Sequence, residues 1–228
     1  MQSTPFRTGV IPTMARPAIS VRAPKNGQTP PILVSPPGCD DMGAVLRGLG
    51  LPFVQAANIQ EFERSLSGAG IVFLNCLGIT SSSTLAPKLK AILSQGGVIF
   101  ASDWTADIID DLSVAGLEFY PREGLGGIVH AEILDAELLA LVKRKNVELN
   151  FDMSDWVAVK TFPSDARILL RADVSLHSMG VTRKLRRHPL AFTTRAGTGR
   201  IIYTSFHNHV QMTELEKSLL SFLALKSI

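Results

Sequence analysis

The sequence predicts an α/β protein: a doubly wound, mostly parallel sheet flanked by helices, with an added β-rich second half. Three observations carry the prediction. From Ile32 onward, short apolar runs alternate with stretches whose apolar residues recur at helical spacing, which is the pattern that parallel strands and their crossover helices require. Several of the short runs, such as Ile71 to Leu74, are apolar at every position rather than at alternate ones, as in strands buried on both faces. Apolar residues make up 46% of the 228 residues and charged residues 19%, enough to build a sizeable core.

The elements follow in order. Ile32 to Ser35 reads as a strand running into a Pro36-Pro37-Gly38 turn. Asp40 or Asp41 can then cap a helix carrying Met42, Val45, Leu46 and Leu49, closed by Gly50. Leu51 to Val54 restarts a short strand, and Asn58 caps a second helix with Phe62 and Leu66 on its apolar face. A buried strand over 70–75 follows, then a Ser/Thr stretch from Thr80 to Thr84 and a helix through Leu89, Ile92 and Leu93 that Gly96-Gly97 ends. Val98 to Ala101 is the next strand, running into Ser102-Asp103-Trp104-Thr105 and a helix with Ile108, Ile109 and Leu112.

The second half is less regular. A glycine-rich turn at Gly124 to Gly127 precedes a strand through Ile128 to Ala131, and Asp135 caps a helix ending in Lys143-Arg144-Lys145. Phe151 to Val159 and Arg167 to Ala172 read as strands, and Arg183 to His188 as a basic loop. Leu190 to Thr194 and Arg200 to Thr204 flank Gly197-Thr198-Gly199, a hairpin signal. A closing helix is expected from Thr213, where Thr213 and Glu216 fit a capping box.

The chain length favours one domain. Residues 1–31, with six prolines, scattered arginines and no acid, form a leader, and 32–228 the domain. The leader lacks the apolar core of a secretory signal; its basic, acid-free composition is compatible with an organellar presequence. No apolar run approaches membrane-helix length, so no membrane association is expected. With 23 basic and 20 acidic residues, the net charge of +3 does not mark a nucleic-acid binder. Two cysteines, Cys39 and Cys76, form neither a zinc quartet nor a disulfide framework, which points to a reducing compartment, the cytoplasm.

The segment Gly199-Arg200-Ile201-Ile202-Tyr203-Thr204-Ser205-Phe206-His207 resembles the late glycine-arginine, strand, tyrosine-threonine and histidine segment of the trehalose-utilisation (ThuA-like) branch of the class I glutamine amidotransferase-like superfold. His188 to Phe192 resembles the strand before it, and Gly96 to Asp103 the strand leading to the site turn. The resemblance spans most of 32–226 and implies a flavodoxin-like three-layer sandwich with ligands bound beyond the carboxyl ends of the strands. In catalytic amidotransferases, the turn after the Val98 to Ala101 strand would bear a nucleophilic cysteine flanked by glycines, and the late histidine would be followed two positions on by glutamate. Here the turn offers Ser102, Asp103 and Trp104, and the position after His207 holds His209. Amidotransferase chemistry is therefore not expected. Cys76 follows a different strand, where the superfold would place oxyanion-hole backbone.

Three readings follow for the strand-end residues. The first is a non-catalytic binding or interaction module, a subunit of a larger assembly, contacting protein partners through the leader, the strand-end surface or the Arg183 to His188 loop. The second is a small hydrolase or carbohydrate-related enzyme in which His207 activates Ser102 or Asp103. The third is a small-ligand sensor using the same cleft. Ligand contacts are expected from Asn75, Cys76, Ser102, His207 and His209. The simpler reading of Ser102 or Asp103 is a cap on the following helix, and bulky Trp104 disfavours a tight elbow there. His207 and His209 at i and i+2 could share a metal with Asp103, but the Phe-His-Asn-His string defines no third ligand. No metal and no cofactor are expected.

Overall fold

The computed structural model describes residues 32–207 and Phe222. The leader and the closing helix from Thr213, apart from Phe222, lie outside the described residues, as does His209. Strands β1 (Ile32–Val34), β2 (Val54–Gln55), β3 (Ile71–Leu74) and β4 (Val98–Ser102) alternate with helices α1 (Met42–Gly48), α2 (Ile59–Ser65) and α3 (Leu85–Ser94). A 3-10 turn, Asp103–Thr105, leads into α4 (Ala106–Asp111). Strands β5 (Glu118–Gly124) and β6 (Gly127–Ile133), helix α5 (Ala136–Val142), and strands β7 (Asn146–Phe151), β8 (Trp156–Thr161), β9 (Arg167–Ser178), β10 (Val181–Ala196) and β11 (Gly199–Thr204) complete the described chain.

One mixed sheet of 11 strands results, ordered β2-β1-β3-β4-β11-β10-β9-β5-β8, with β6 joined to β9 and β7 to β6. The strands from β2 to β11 run parallel, and everything beyond β11 is antiparallel. Side chains alternate between the two faces as the pleat dictates. Ile32, Val34, Ile71, Phe73, Phe100 and Ile202 meet Met42 and Leu46 of α1 on one face, where Phe222 also packs. Leu33, Val72, Leu74, Ile99, Ala101, Ile201 and Tyr203 meet α2, α3 and α4 on the other. None of the helices is long and apolar enough to cross a membrane, among the described residues.

The helix starts follow their capping chemistry. Asp41 accepts from Ala44 N, Asn58 from Glu61 N, and Asp135 from Glu137 N and Leu138 N, each satisfying amides that the first helical turn leaves open. The predicted hairpin forms, with β10 and β11 antiparallel and Ala196 opposite Gly199.

Several expectations are corrected. The strand after Gly50 is only Val54–Gln55, because Leu51-Pro52-Phe53 makes no ladder there. The strand expected over 151–159 begins only at Trp156, as β8; Phe151 ends β7, which was not anticipated, and 152–155 is a loop between them. Strand β5, which pairs with β8, was not anticipated; its alternation is interrupted by Pro121 and charged residues. The basic run at 143–145 lies past the end of α5, and Lys145 pairs with Glu132 at 3.0 Å. The expected basic loop from Arg183 to His188 is part of β10, zipped to β9 with a bulge between Leu185 and His188. Arg187 N donates to Asp173 Oδ1 at 2.8 Å, and Arg183 lies over the Tyr120 ring at 4.5 Å. Cross-strand neighbours thus hold a segment whose charge alone reads as solvated.

Candidate site at the strand ends

The carboxyl ends of β1, β3, β4 and β11 meet at one edge of the parallel sheet, with the β7–β8 loop beside them. Asn75, fully buried after β3, ties the loop after β1 in place. Its Oδ1 accepts from Met42 N at 3.0 Å, and its Nδ2 donates to Ser35 O at 2.9 Å and Pro36 O at 3.1 Å. Asn75 is thus a clamp between loops, with its amide spent on backbone. The two loops touch so closely that a Cβ on Gly78 would overlap the Pro36 carbonyl, and one on Gly38 the Cys76 carbonyl. Cys39 N donates to Cys76 O at 2.8 Å, so the two cysteines sit on adjoining backbone. Both are free thiols.

Neither Ser102 nor Asp103 caps the following helix through its side chain. Ser102 Oγ donates to Asp40 Oδ2 instead, with Leu74 O at 3.5 Å. Asp103 stands at the elbow with φ +42°, a left-handed conformation that aspartate tolerates better than most residues. The turn is therefore tight despite Trp104, whose ring swings away to donate to Asp155 O at 2.8 Å and to stack under Arg122 at 4.2 Å.

The elbow aims the Asp103 carboxylate into the interior. Its Oδ1 accepts from Val157 N of β8 at 2.7 Å, and its Oδ2 lies 2.9 Å from His207 Nε2. Tyr203 of β11 donates its hydroxyl to Asp103 O at 3.0 Å, holding the turn from below. His207 lies just past β11, with its Nδ1 3.5 Å from Asp152 Oδ1 in the β7–β8 loop. Cys76 Sγ approaches Asp103 Oδ2 at 3.9 Å. Cys76, Asp103 and His207 are all buried.

The electrostatics follow from that burial. Burial pushes the Asp103 carboxyl up, and His207 and the Val157 amide offset only part of the rise. Burial would lower the His207 pKa, but the hydrogen bonds to Asp103 and Cys76 and the charges of Asp40 and Asp103 outweigh it and push it up to about 11. The pair is a carboxylate with an imidazolium. Burial also raises the Cys76 and Cys39 thiols, so neither is an activated thiolate.

Of the residues singled out from sequence, the structure brings Asp103, His207 and Cys76 together, turns Ser102 toward Asp40, and commits Asn75 to loop backbone. The sequence offers Asp40 as a candidate helix cap and not as the partner of Ser102, and Asp152 and Val157 were missed. Asp152 and Val157 come from the antiparallel half, and no local pattern marks them as neighbours of the β4 turn. The Ser81 to Thr84 stretch is also structural: Ser81 bonds Asp111, while Ser82 and Thr84 bond Glu63 at 2.7 and 2.8 Å.

No protein-family model matches the sequence, and no curated protein matches it. Among solved structures, a ThuA-like protein from Bacteroides uniformis is similar over 92% of this chain and 95% of its own, at 12% identity and a TM-score of 0.60. A ThuA-like protein from Parabacteroides merdae is similar over 83% and 86%, at 14% identity and 0.55. A glutamine amidotransferase from Methylobacillus flagellatus is similar over 81% and 71%, at 14% identity and 0.50. His207 after β11 is the histidine that the resemblance matched, whereas the tight turn at Asp103 runs against the expectation drawn from Trp104. The chain has the class I glutamine amidotransferase-like fold in the form shared with ThuA-like proteins.

Proposed function

We propose that this chain is a non-catalytic amidotransferase-like binding module that acts as a subunit of a larger assembly. The observation that supports the reading is the occupant of the elbow. Asp103 stands where an amidotransferase would present a thiol, and both its carboxylate oxygens are engaged, by Val157 N and by His207. A thiol or hydroxyl nucleophile needs an adjacent base able to take its proton; position 103 carries neither group, and His207, the base of such a pair, faces the Asp103 carboxylate instead. Ser102 is buried and turns its hydroxyl to Asp40, away from the His207 pairing that the hydrolase reading requires.

Partner contacts would use the strand-end surface, the leader and the outer part of β10, where Arg183, Lys184, Arg186 and Arg187 are exposed. Two free cysteines fit residence in the reducing cytoplasm. Isolation of the full chain from its source at native concentration, followed by native mass spectrometry, tests the reading. A stoichiometric protein partner is expected, together with no ammonia release from glutamine. A lone monomer, or glutaminase activity abolished by Asp103→Asn, would overturn it.

A further inference from the structure

The buried trio at the elbow has a chemistry that the ion pair does not exhaust. Cys76 Sγ, Asp103 Oδ2 and His207 Nε2 all lie within 4.8 Å of one another. The Cys76 to Asp103 separation is 3.9 Å and the Asp103 to His207 separation 2.9 Å. Bonds of about 2.0–2.3 Å at the tetrahedral angle place ligand atoms about 3.3–3.5 Å apart. Movements of about 1 Å or less therefore put all three donors on a single ion.

The fold explains the convergence. The three residues follow β3, β4 and β11, which are consecutive in the sheet, so neighbouring strands bring their ends to one point. The outer contacts are also those that orient ligands in metal sites, where a carboxylate that does not touch the ion holds the far nitrogen of a ligating histidine. Asp152 Oδ1 lies 3.5 Å from His207 Nδ1, and Val157 N fixes Asp103 Oδ1, leaving Oδ2 aimed at the trio. The Asp152 side chain is 34% exposed, which marks the approach from solvent.

We propose that Cys76, Asp103 and His207 form a binding site for one divalent transition-metal ion of the zinc class, with the fourth position left for water or a small anionic ligand. A thiolate and an imidazole together select such an ion over calcium or magnesium, which prefer oxygen donors. Binding displaces two protons to solvent, from the thiol and from the imidazolium Nε2, and forms metal–sulfur, metal–oxygen and metal–nitrogen bonds. A thiol, a carboxylate and an imidazolium sum to zero charge, and a dication with a thiolate, a carboxylate and a neutral imidazole also sum to zero. With water in the fourth position, the exchange leaves the net charge of the trio unchanged. The inference does not rest on the binding-module reading, and its test involves no partner.

Titration of the full chain, stripped with chelator, with Co²⁺ as the probe decides the matter. One ion per chain is expected, with a near-ultraviolet sulfur-to-cobalt band and displacement of the cobalt by Zn²⁺. Cys76→Ser should abolish the band and Cys39→Ser leave it intact, while Asp152→Asn should weaken binding about tenfold. No saturable uptake by the unaltered chain, or a band that survives Cys76→Ser and is lost in Cys39→Ser, would overturn the proposal whether or not any variant fails to fold.

Discussion

The replacement Asp103→Asn isolates the charge of the buried pair, because asparagine keeps the shape of the side chain and can still accept from Val157 N at the Oδ1 position. What is lost is the carboxylate 2.9 Å from His207 Nε2. The side chains are 1% and 4% exposed, so water cannot take over the solvation of the imidazolium, and Asp152 at 3.5 Å is the remaining carboxylate on the ring. Removing one partner of a buried pair costs about 3–5 kcal/mol, because the other charge is left uncompensated. For a chain of this size each kcal/mol lowers the melting temperature by about 2–4 °C, so a drop of at least about 6 °C is expected. Removing both partners should cost less than the sum of the single losses. A double-mutant cycle with His207→Gln should therefore show a coupling of about 2 kcal/mol. Urea unfolding followed by circular dichroism, with chelator present throughout, measures all four forms. A single-variant loss under about 0.5 kcal/mol, or additive losses, would refute an ion pair at this elbow.

Two further perturbations probe the surroundings. His188 in β10 is buried, has an Nε2 with no hydrogen-bond partner among the described residues, and has its pKa pushed down to about 4 by burial. Its folded pKa lies below the unfolded value near 6.5, so the stabilisation is complete above pH 6.5 and is lost as pH falls toward 4, at up to about 1.4 kcal/mol per pH unit. His188→Leu should flatten that acid limb in a stability–pH curve, and an unchanged slope would exclude His188 as its source. At the crossing of the two loops, Gly78→Ala forces a methyl group against the Pro36 carbonyl and should cost about 1–3 kcal/mol. Reaction of Cys76 with a thiol reagent should quicken in the same variant, and wild-type protection would show that the loops can part at no expense.

Much of the fold was legible because it depends on local chemistry. Asp41, Asn58 and Asp135 each cap the helix that follows them, since an N-cap needs only a short polar side chain at the right position. The turn at Gly197-Thr198 closes its hairpin for a similarly local reason. The same local logic failed at Ser102 and Asp103. Both have cap-competent side chains, but their hydrogen bonds go to Asp40, 62 residues away, and Val157, 54 residues away. Buried carboxylates and hydroxyls take the partners that the tertiary structure delivers. The charge of Arg183 to His188 likewise says nothing of Asp173 and Tyr120, which lie across the ladder.

The alternation of apolar runs with helical spacings determined, without any structure, that this chain folds as a parallel α/β sheet with a β-rich second half, and the resemblance of its late segment implied a histidine at the strand ends. Period, caps and turns are properties of neighbouring residues. Which donors meet at those ends is a property of sheet order, and it was decided only when β3, β4 and β11 came to lie side by side. That order makes a buried cluster of Cys76, Asp103 and His207, three residues that have no spacing in common along the chain.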